Sequence, residues 1–495
     1  MDSTLKCSFL LVLLGLVVNA LCLTDSEHCE NVVKKWALTS LDHEVKNNKH
    51  TLKDLLFFLH VPRTGGRTYF HCFLKKLYSN SLECPRSYDK LRFDPSKEKC
   101  RLLVTHDDYS ITSKLPRDRT SVVTILRNPV DRVFSTYEFS VEVGARFLVH
   151  PNLTSAMQMT GRLRAKTKGV STLDIWPWKY LVPWMREDLF ARRNARKARR
   201  TNDVKSSDPY NMEDIVMPLL NYINDPIAHE IVHNGATFQI AGLTNNSYLP
   251  KSHEVRHCVD KYKNLGEYVL QVAKKRLDNM LYVGLTEDHR ESATMFANVV
   301  GAQVISQLEE SNAIGKEAAV NKSELTTSFS DSELDSNDHQ NPNSDEKGNE
   351  TTSSSDDNEV KQENMTVRKL METYEVCISS LRKTQAHRRI ASLKRIAPAN
   401  FTKEARLQVP QMVIQRIQSL NNLDLELYEY AQGIFAKQHN EGAEKLFDTE
   451  TLGSMFNYSG GIKLQDICLW AMPFVLLFIF FLFVNAKRRT LKVKI

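Results

Sequence analysis

Three short apolar runs punctuate the first part of the chain: Leu55–Val61, Leu102–Thr105 and Val122–Leu126. Each is bounded by polar or turn residues and is rich in Leu, Val, Ile or Phe, the pattern of parallel strands buried on both faces. Helical spacing follows two of them, over Thr68–Tyr78 and Val130–Val143. A fourth strand is expected at Leu281–Gly284, with a helix from Glu287 to Val299. This alternation predicts an α/β fold, a parallel sheet flanked by helices and joined by right-handed crossovers. Helical patterning resumes near Met365 and runs through Ala436, as a C-terminal part that packs back on the sheet.

Residues 309–363 break the pattern. They are rich in Ser, Asn, Asp, Glu and Thr with almost no aromatics. Such a segment cannot bury enough apolar surface to offset chain entropy and reads as a disordered acidic insertion. The expected domain is therefore 53–303 together with 365–438, followed by a stalk over 439–466.

The two ends carry hydrophobic segments of different kinds. Lys6, the apolar run Phe9–Val18 and small residues near Ala20 read as a signal peptide over 1–22. Ile467–Val484 has no charge and, as a helix, is ~27 Å long, enough for a thin bilayer. Lys487, Arg488, Arg489, Lys492 and Lys494 follow it, as expected on a cytoplasmic side. The pattern predicts a single transmembrane helix over 467–485, a tail over 486–495 and a type I protein with its domain in the lumen.

That compartment changes how several residues are read. Cys29, Cys72, Cys84, Cys100, Cys258 and Cys377 become candidates for disulfides, with fifteen possible pairings. Sequons at Asn152, Asn245, Asn321, Asn349, Asn364 and Asn400 become candidate glycosylation sites; Asn457 lies close to the expected membrane. The net charge of +7 over 495 residues is mild and gives no reason to expect a nucleic-acid partner.

Two motifs carry candidate chemistry. The first is Phe57-Phe58-Leu59-His60-Val61-Pro62-Arg63-Thr64-Gly65-Gly66-Arg67-Thr68, a strand entering a two-glycine loop that opens a helix. Glycines let backbone N–H groups approach phosphate oxygens, the helix start adds a positive dipole, and Arg63 and Arg67 add charge-assisted donors. Its spacing differs from that of the nucleoside-triphosphate loop, and taken alone it reads first as an ordinary strand-to-helix turn. The second is Val122–Leu126 followed by Arg127-Asn128-Pro129-Val130-Asp131-Arg132-Val133-Phe134-Ser135. It sets Arg127 at the carboxyl end of a strand, where open α/β sheets bind ligands, and Ser135 two turns into a helix.

Together these motifs resemble the 5′- and 3′-phosphosulfate-binding sequences of Golgi sulfotransferases. The first is similar to His-x-x-Lys-Thr-Gly-Gly-Thr-Thr of the heparan sulfate 6-O-sulfotransferase family, the second to that family's Leu-Arg-Asp-Pro-Val-x-Arg. Gly284-Leu285-Thr286-Glu287 and the Asn422–Tyr428 stretch add to the likeness. The resemblance implies a phosphate-loop-like sulfotransferase fold. It also implies 3′-phosphoadenosine 5′-phosphosulfate as co-substrate, bound by Arg63, Thr64, Gly65, Gly66, Arg67, Thr68, Arg127 and Ser135, and no metal. The family places a catalytic His after a strand, in His-Ala-Asp-Trp; carried over to His106-Asp107-Asp108-Tyr109, this makes His106 the general base. His60 and His71 are rivals, and Asp107 or Asp108 is expected to orient the ring.

The departures matter too. Arg63 stands where the family has Lys; it keeps the charge but cannot give up a proton, so its catalytic role is that of an electrostatic clamp. Family members are usually anchored at the N-terminus. A C-terminal anchor on such a domain resembles the layout of plant tyrosylprotein sulfotransferases. That implies tyrosine hydroxyls of acidic secreted peptides or proteins as acceptors, and a Golgi membrane location. A polysaccharide 6-O-sulfotransferase and a non-catalytic luminal receptor or adaptor are the alternatives. The basic run Arg192, Arg193, Arg196, Lys197, Arg199 and Arg200, preceded by Trp176, Trp178 and Trp184, suits an acidic acceptor, a sulfated polysaccharide or a solvated face equally.

Overall fold

The computed structural model describes residues 24–44, 51–85, 90–91, 93–96, 99–156, 158, 176–181, 188–199, 208–212, 216–319, 365–394 and 400–457. At its centre lies a four-stranded, fully parallel sheet: β1 (Leu55–Leu59), β2 (Leu102–Thr105), β3 (Thr120–Leu126) and β4 (Tyr282–Leu285), in the spatial order β2-β1-β3-β4. Every residue of β1 and β4 is buried, which is why the strands read as unbroken apolar runs rather than alternating ones. The chain steps from β1 to β2 on one side and then crosses to β3 on the other. The loops leaving β1 and β3 therefore diverge, and their carboxyl ends form the crevice at which α/β sheets bind ligands.

Two helices rise from that crevice. After β1 the backbone turns through left-handed conformations at Arg63 (φ 69°) and Gly65 (φ 83°) and opens a helix at Gly66–Tyr69. This loop helix widens through a π-turn at Phe70–Leu74 and ends at Lys75–Leu77. After β3 the helix Pro129–Phe147 begins with Asn128 as its cap, the side-chain oxygen accepting from the N–H groups of Val130 and Asp131. Pro129 occupies the first turn, where its missing N–H costs nothing.

The C-terminal helices pack back on this sheet domain. Helix Val367–Leu393 buries Leu370, Tyr374 and Ile378 in the sheet core, with the Tyr374 ring stacked on Phe73 at 4.1 Å. Helix Asn422–Asn457 adds Leu423, Leu427, Ala431 and Phe435 to the same core. A second core lies under helix Pro129–Phe147, where Val133, Tyr137 and Val141 meet Tyr222, Leu393, Val413 and Ile417. The compact unit closes at Gln438; residues 439–457 are helical.

Three disulfides select one of the fifteen pairings: Cys29–Cys258, Cys72–Cys377 and Cys84–Cys100. The first ties a helix over residues 24–43 to the domain, so the fold begins upstream of the start expected at residue 53. Residues 309–319, expected as the start of a disordered insertion, are the end of helix Ala302–Ala319. Polar composition masks a helix that is already nucleated by the packed turn before it. Residues 320–363 lie outside the described residues. So do the expected signal peptide, the span over 467–485, the tail, and Asn321, Asn349 and Asn364. Among the described residues no helix is long and apolar enough to cross a membrane.

Candidate active site

The sheet register determines which side chains meet. Leu59 pairs with Thr105 on one side and Thr124 on the other, so His60 and His106 leave adjacent strand ends together. The N–H of His60 donates to the Thr105 carbonyl (3.1 Å), and the two imidazoles stack with centroids 4.2 Å apart. Nδ1 of His106 lies 2.9 Å from the His60 carbonyl. A carbonyl can only accept, so Nδ1 carries the proton and Nε2 is left with its lone pair. Burial holds the His106 ring down to about 4, partly offset by this hydrogen bond, so the ring is neutral at neutral pH. His60 is held well below the usual histidine range, first by burial and then by the nearby charges of His106, Arg63 and Arg67.

The expectation that Asp107 or Asp108 orients His106 is not met. Asp107 accepts from the hydroxyl of Thr105 and from the side-chain amide of Asn246, and Asp108 from Ser110 and Thr244. Both are buried braces for their loop. The orienting group is a backbone carbonyl, held in turn by Gln239, whose side-chain amide donates to the carbonyls of His60 (3.3 Å) and His106 (2.8 Å). Of the rival histidines, His60 is thus the partner of His106, and His71 lies in the π-turn against Phe70.

The two-glycine loop is built around the His60 ring. A Cβ on Gly66 would fall 2.3 Å from that ring, so glycine is required there by close approach rather than by dihedral angle. Gly65 is required by its positive φ. Thr64 is buried, and its hydroxyl donates to the Val61 carbonyl while its own carbonyl accepts from Thr286 (2.7 Å). Thr286 also bonds the Leu126 carbonyl, pinning the loop to β3. The Thr68 N–H donates to Gly65 (2.9 Å), which closes the first helical turn, and Arg67 is exposed on that turn.

Arg63, Arg127 and Ser135 form one connected set. Arg63 donates twice to the Ser135 hydroxyl (3.1 and 2.9 Å) and lies over the Phe139 ring at 4.3 Å. Arg127 donates to the Arg63 carbonyl (3.3 Å). Glu287 accepts from the Asn128 N–H (3.0 Å) and from Tyr428 (2.7 Å) and lies 3.9 Å from Arg127 Nε. That Nε is buried and lacks a hydrogen-bond partner. Burial, then the neighbouring Arg127, lowers Arg63 to about 10, and burial also lowers Arg127. Two arginines linked through the Arg63 carbonyl and partly stripped of water, with a serine hydroxyl alongside, suit an oxyanion.

The basic run behaves differently. It lies on helix Asp188–Arg199, where Arg192 donates to the Val216 carbonyl (3.2 Å) and Arg193 to the carbonyls of His150 and Pro151 (2.6 Å each). These two charges fasten loops and do not form a free rim; Lys197 is exposed, and Arg200 and Trp184 lie outside the described residues. Trp176 is buried and donates to Glu230 (3.3 Å), and Trp178 packs on Phe139, the ring beneath Arg63. Among the sequons, Asn152, Asn245 and Asn400 are exposed, and the Asn245 amide nitrogen donates to Tyr180 and to the buried Glu230. Gln239, Phe139 and the bridging role of Thr286 and Glu287 escape sequence reasoning. Thr286-Glu287 at the end of β4 is a signal for the last two; nothing marks Gln239.

A phosphate-type loop at the carboxyl edge of a parallel sheet, with two arginines and a neutral imidazole beside it, defines a group-transfer enzyme that holds an oxyanionic donor. No family model matches the sequence. Along its whole length, however, the chain is similar to the protein-tyrosine sulfotransferase of Arabidopsis thaliana, 59% identical over 507 aligned positions with all of both chains covered. The chain belongs to the protein-tyrosine sulfotransferase family, and it is a sulfotransferase rather than a non-catalytic receptor.

Proposed function

We propose that this enzyme transfers the sulfuryl group of 3′-phosphoadenosine 5′-phosphosulfate to tyrosine hydroxyls of acidic secreted peptides or proteins, with His106 as general base. The observation that carries this reading is the His106 tautomer: Nδ1 is committed to the His60 carbonyl, which leaves the Nε2 lone pair to accept a proton, at the sheet edge shared with the donor loop. A tyrosine hydroxyl with an ordinary acidity near 10 needs such a base at neutral pH.

In the reaction the phenolic oxygen attacks sulfur as its proton passes to Nε2 of His106. The bond from sulfur to the bridging phosphate oxygen breaks, and adenosine 3′,5′-bisphosphate leaves. Loop N–H groups and the Arg63 guanidinium stabilise the charge that develops on the leaving phosphate. Arg127, with Ser135 in the counterpart of the 3′-phosphate motif, holds the nucleotide's further phosphate. Ser135 accepts from Arg63, so its own O–H remains to be donated to a donor oxygen. The chemistry needs no metal. The hydrophobic C-terminal segment supports a single-pass anchor with a luminal domain, the three disulfides fit an oxidising compartment, and the Golgi assignment rests on the family resemblance.

Incubation of the purified enzyme with sulfur-labelled donor and an equimolar mixture of an Asp-Tyr peptide and heparan tests the acceptor class. Label is expected on the peptide tyrosine. Label confined to the polysaccharide would overturn the assignment.

A further inference from the structure

The parallel ladder between β1 and β2 stops at the two stacked histidines. His60 donates to the Thr105 carbonyl (3.1 Å), and the next rung would take the Asp107 N–H to the His60 carbonyl. That N–H turns back to the Thr105 hydroxyl instead (3.1 Å). The carbonyls of His60, His106 and Asp107 therefore leave the sheet beyond its last rung, and one side chain meets all three. The amide nitrogen of the buried Gln239 lies 3.3 Å from the His60 oxygen, 2.8 Å from that of His106 and 3.3 Å from that of Asp107. Carbonyls only accept, which fixes the orientation of the amide. Gln239 thus stands in for the missing rung, on the same His60 carbonyl that takes the Nδ1 proton of His106.

A second exchange of hydrogen bonds places Gln239. It belongs to helix Gly235–Ile240, which is buried along its whole length. Asn234 enters that helix with a left-handed backbone (φ 49°) and does not cap it. Its side-chain oxygen accepts instead from the N–H groups of Leu423 (2.9 Å) and Asp424 (3.2 Å), at the start of helix Asn422–Asn457. Asp424 returns the contact. Its carboxylate accepts from the N–H groups of Ala236 (3.2 Å) and Thr237 (2.7 Å) and from the Thr237 hydroxyl (2.7 Å). Each helix start is capped by a residue of the other. The same carboxylate holds the buried Arg132 at 2.7 Å, on the helix that carries Ser135. One acidic side chain thereby joins the C-terminal helix, the helix behind the second motif and the helix that presents Gln239.

We propose that Gln239 is a positioning residue for sulfuryl transfer, registering His106 through the carbonyls of the histidine pair, and that the cap exchange between Asn234 and Asp424 sets it there. The inference rests on the reading of His106 as general base. Without the Gln239 amide the two strand ends lose the donor they share and are free to part, which moves Nε2 of His106 relative to the acceptor oxygen. A misplacement of about 1 Å is enough to cost on the order of 10²-fold in rate. The C-terminal helix thus acts on the chemical step without touching substrate, and Arg132 of the second motif serves this framework rather than the nucleotide.

The test uses the full-length enzyme, a tyrosine peptide as acceptor, and kcat expressed per site that binds adenosine 3′,5′-bisphosphate in calorimetry, so that unfolded protein does not enter. Gln239→Leu and Gln239→Met both remove the donor, and either serves if the other does not fold. The expected result is a kcat about tenfold below wild type, with Kd for the bisphosphate and KM for the peptide within about threefold. In a His106→Ala background the same substitution should cost less than about twofold, because the group it positions is gone. Gln239→Glu, whose protonated carboxyl donates one O–H, should restore part of kcat and lose it again as pH rises and the carboxyl ionises. A kcat within about twofold of wild type for the apolar variant would overturn the proposal. So would a full loss repeated in the His106→Ala background, which marks a role apart from the base. Thr237→Val, which takes one donor from Asp424, should lower kcat about two- to threefold, and an unchanged kcat there would overturn the share given to the C-terminal helix. His106→Ala as fast as wild type would instead refute the general-base reading on which the inference rests.

Discussion

The two edges of the sheet put their polar groups to different use. The amino edge has a cavity of about 680 Å³, bounded by the helix over residues 24–43, the 3₁₀ turn Tyr109–Lys114 and the start of β3. Its main charge is settled internally: Glu44 accepts from Arg276 (3.1 Å), Asn279 (3.0 Å) and Tyr109 (3.3 Å). Trp36 adds an unpaired indole N–H there. The carboxyl edge instead gathers Arg63 and Arg127, whose hydrogen bonds run to a serine hydroxyl and a backbone carbonyl, around a backbone loop opened by two glycines. That cavity is thus not where the family's chemistry is placed. Strand ends that carry incomplete pairing are the better guide, because catalytic sites hold charges ready for a substrate that is absent from the free protein.

Arg63→Ala should break the comparison most severely on the carboxyl side. Removing the guanidinium over Phe139 should cut kcat about 10²–10³-fold, the scale of losing one preorganised oxyanion donor, while circular dichroism stays native. Activity within a few-fold of wild type would show that the loop N–H groups suffice. Gly66→Ala should come next. Its methyl has to displace the His60 ring, and the His60 carbonyl holds His106; kcat should fall about tenfold or more, with the pH profile altered.

Glu44→Ala should do the opposite. It leaves Arg276 buried beside its Ile240 carbonyl contact but without its counter-charge, which costs about 3–5 kcal/mol in thermal or denaturant unfolding. The kcat and KM of the surviving folded protein should match wild type. A loss of kcat without a loss of stability would mean that the amino edge takes part in turnover.

The smallest effect sharpens the comparison through pH. His106 and His233 are each lowered to about 4 by burial, and His60 is lowered well below 6.5. Between about pH 4 and 6.5 the unfolded chain therefore binds more protons than the native one. Stability is lost as pH falls through that window, by up to about 1.4 kcal/mol per pH unit for each histidine. His60→Gln or His233→Gln should each flatten the slope of unfolding free energy against pH in this range, and an unchanged slope would place the ring in water.

The sheet and the donor loop were legible in the sequence because each depends on nearby residues. Strands buried on both faces show as unbroken apolar runs, and the loop shows its glycines. His106 was legible by its place at a strand end. What holds His106 was not, because two acidic residues beside a histidine look like partners until the fold turns both of them into the Asn246 and Thr244 contacts. Gln239 reaches the site across more than a hundred residues, and the Cys72–Cys377 bridge spans 305. Pairings over such separations are set by packing, which a local pattern does not record. The basic run was open to three readings for a related reason: nothing local shows that Arg192 and Arg193 spend donors on backbone carbonyls.

The central claim is that His106, held as a base by the His60 carbonyl, takes the acceptor proton. Single-turnover transfer from labelled donor to an Asp-Tyr peptide by His106→Ala, with donor affinity measured on the same preparation, tests it most directly. The account predicts donor binding within about twofold of wild type and transfer slowed about 10²–10⁴-fold, the range for loss of a general base. Transfer at a rate close to wild type would contradict it.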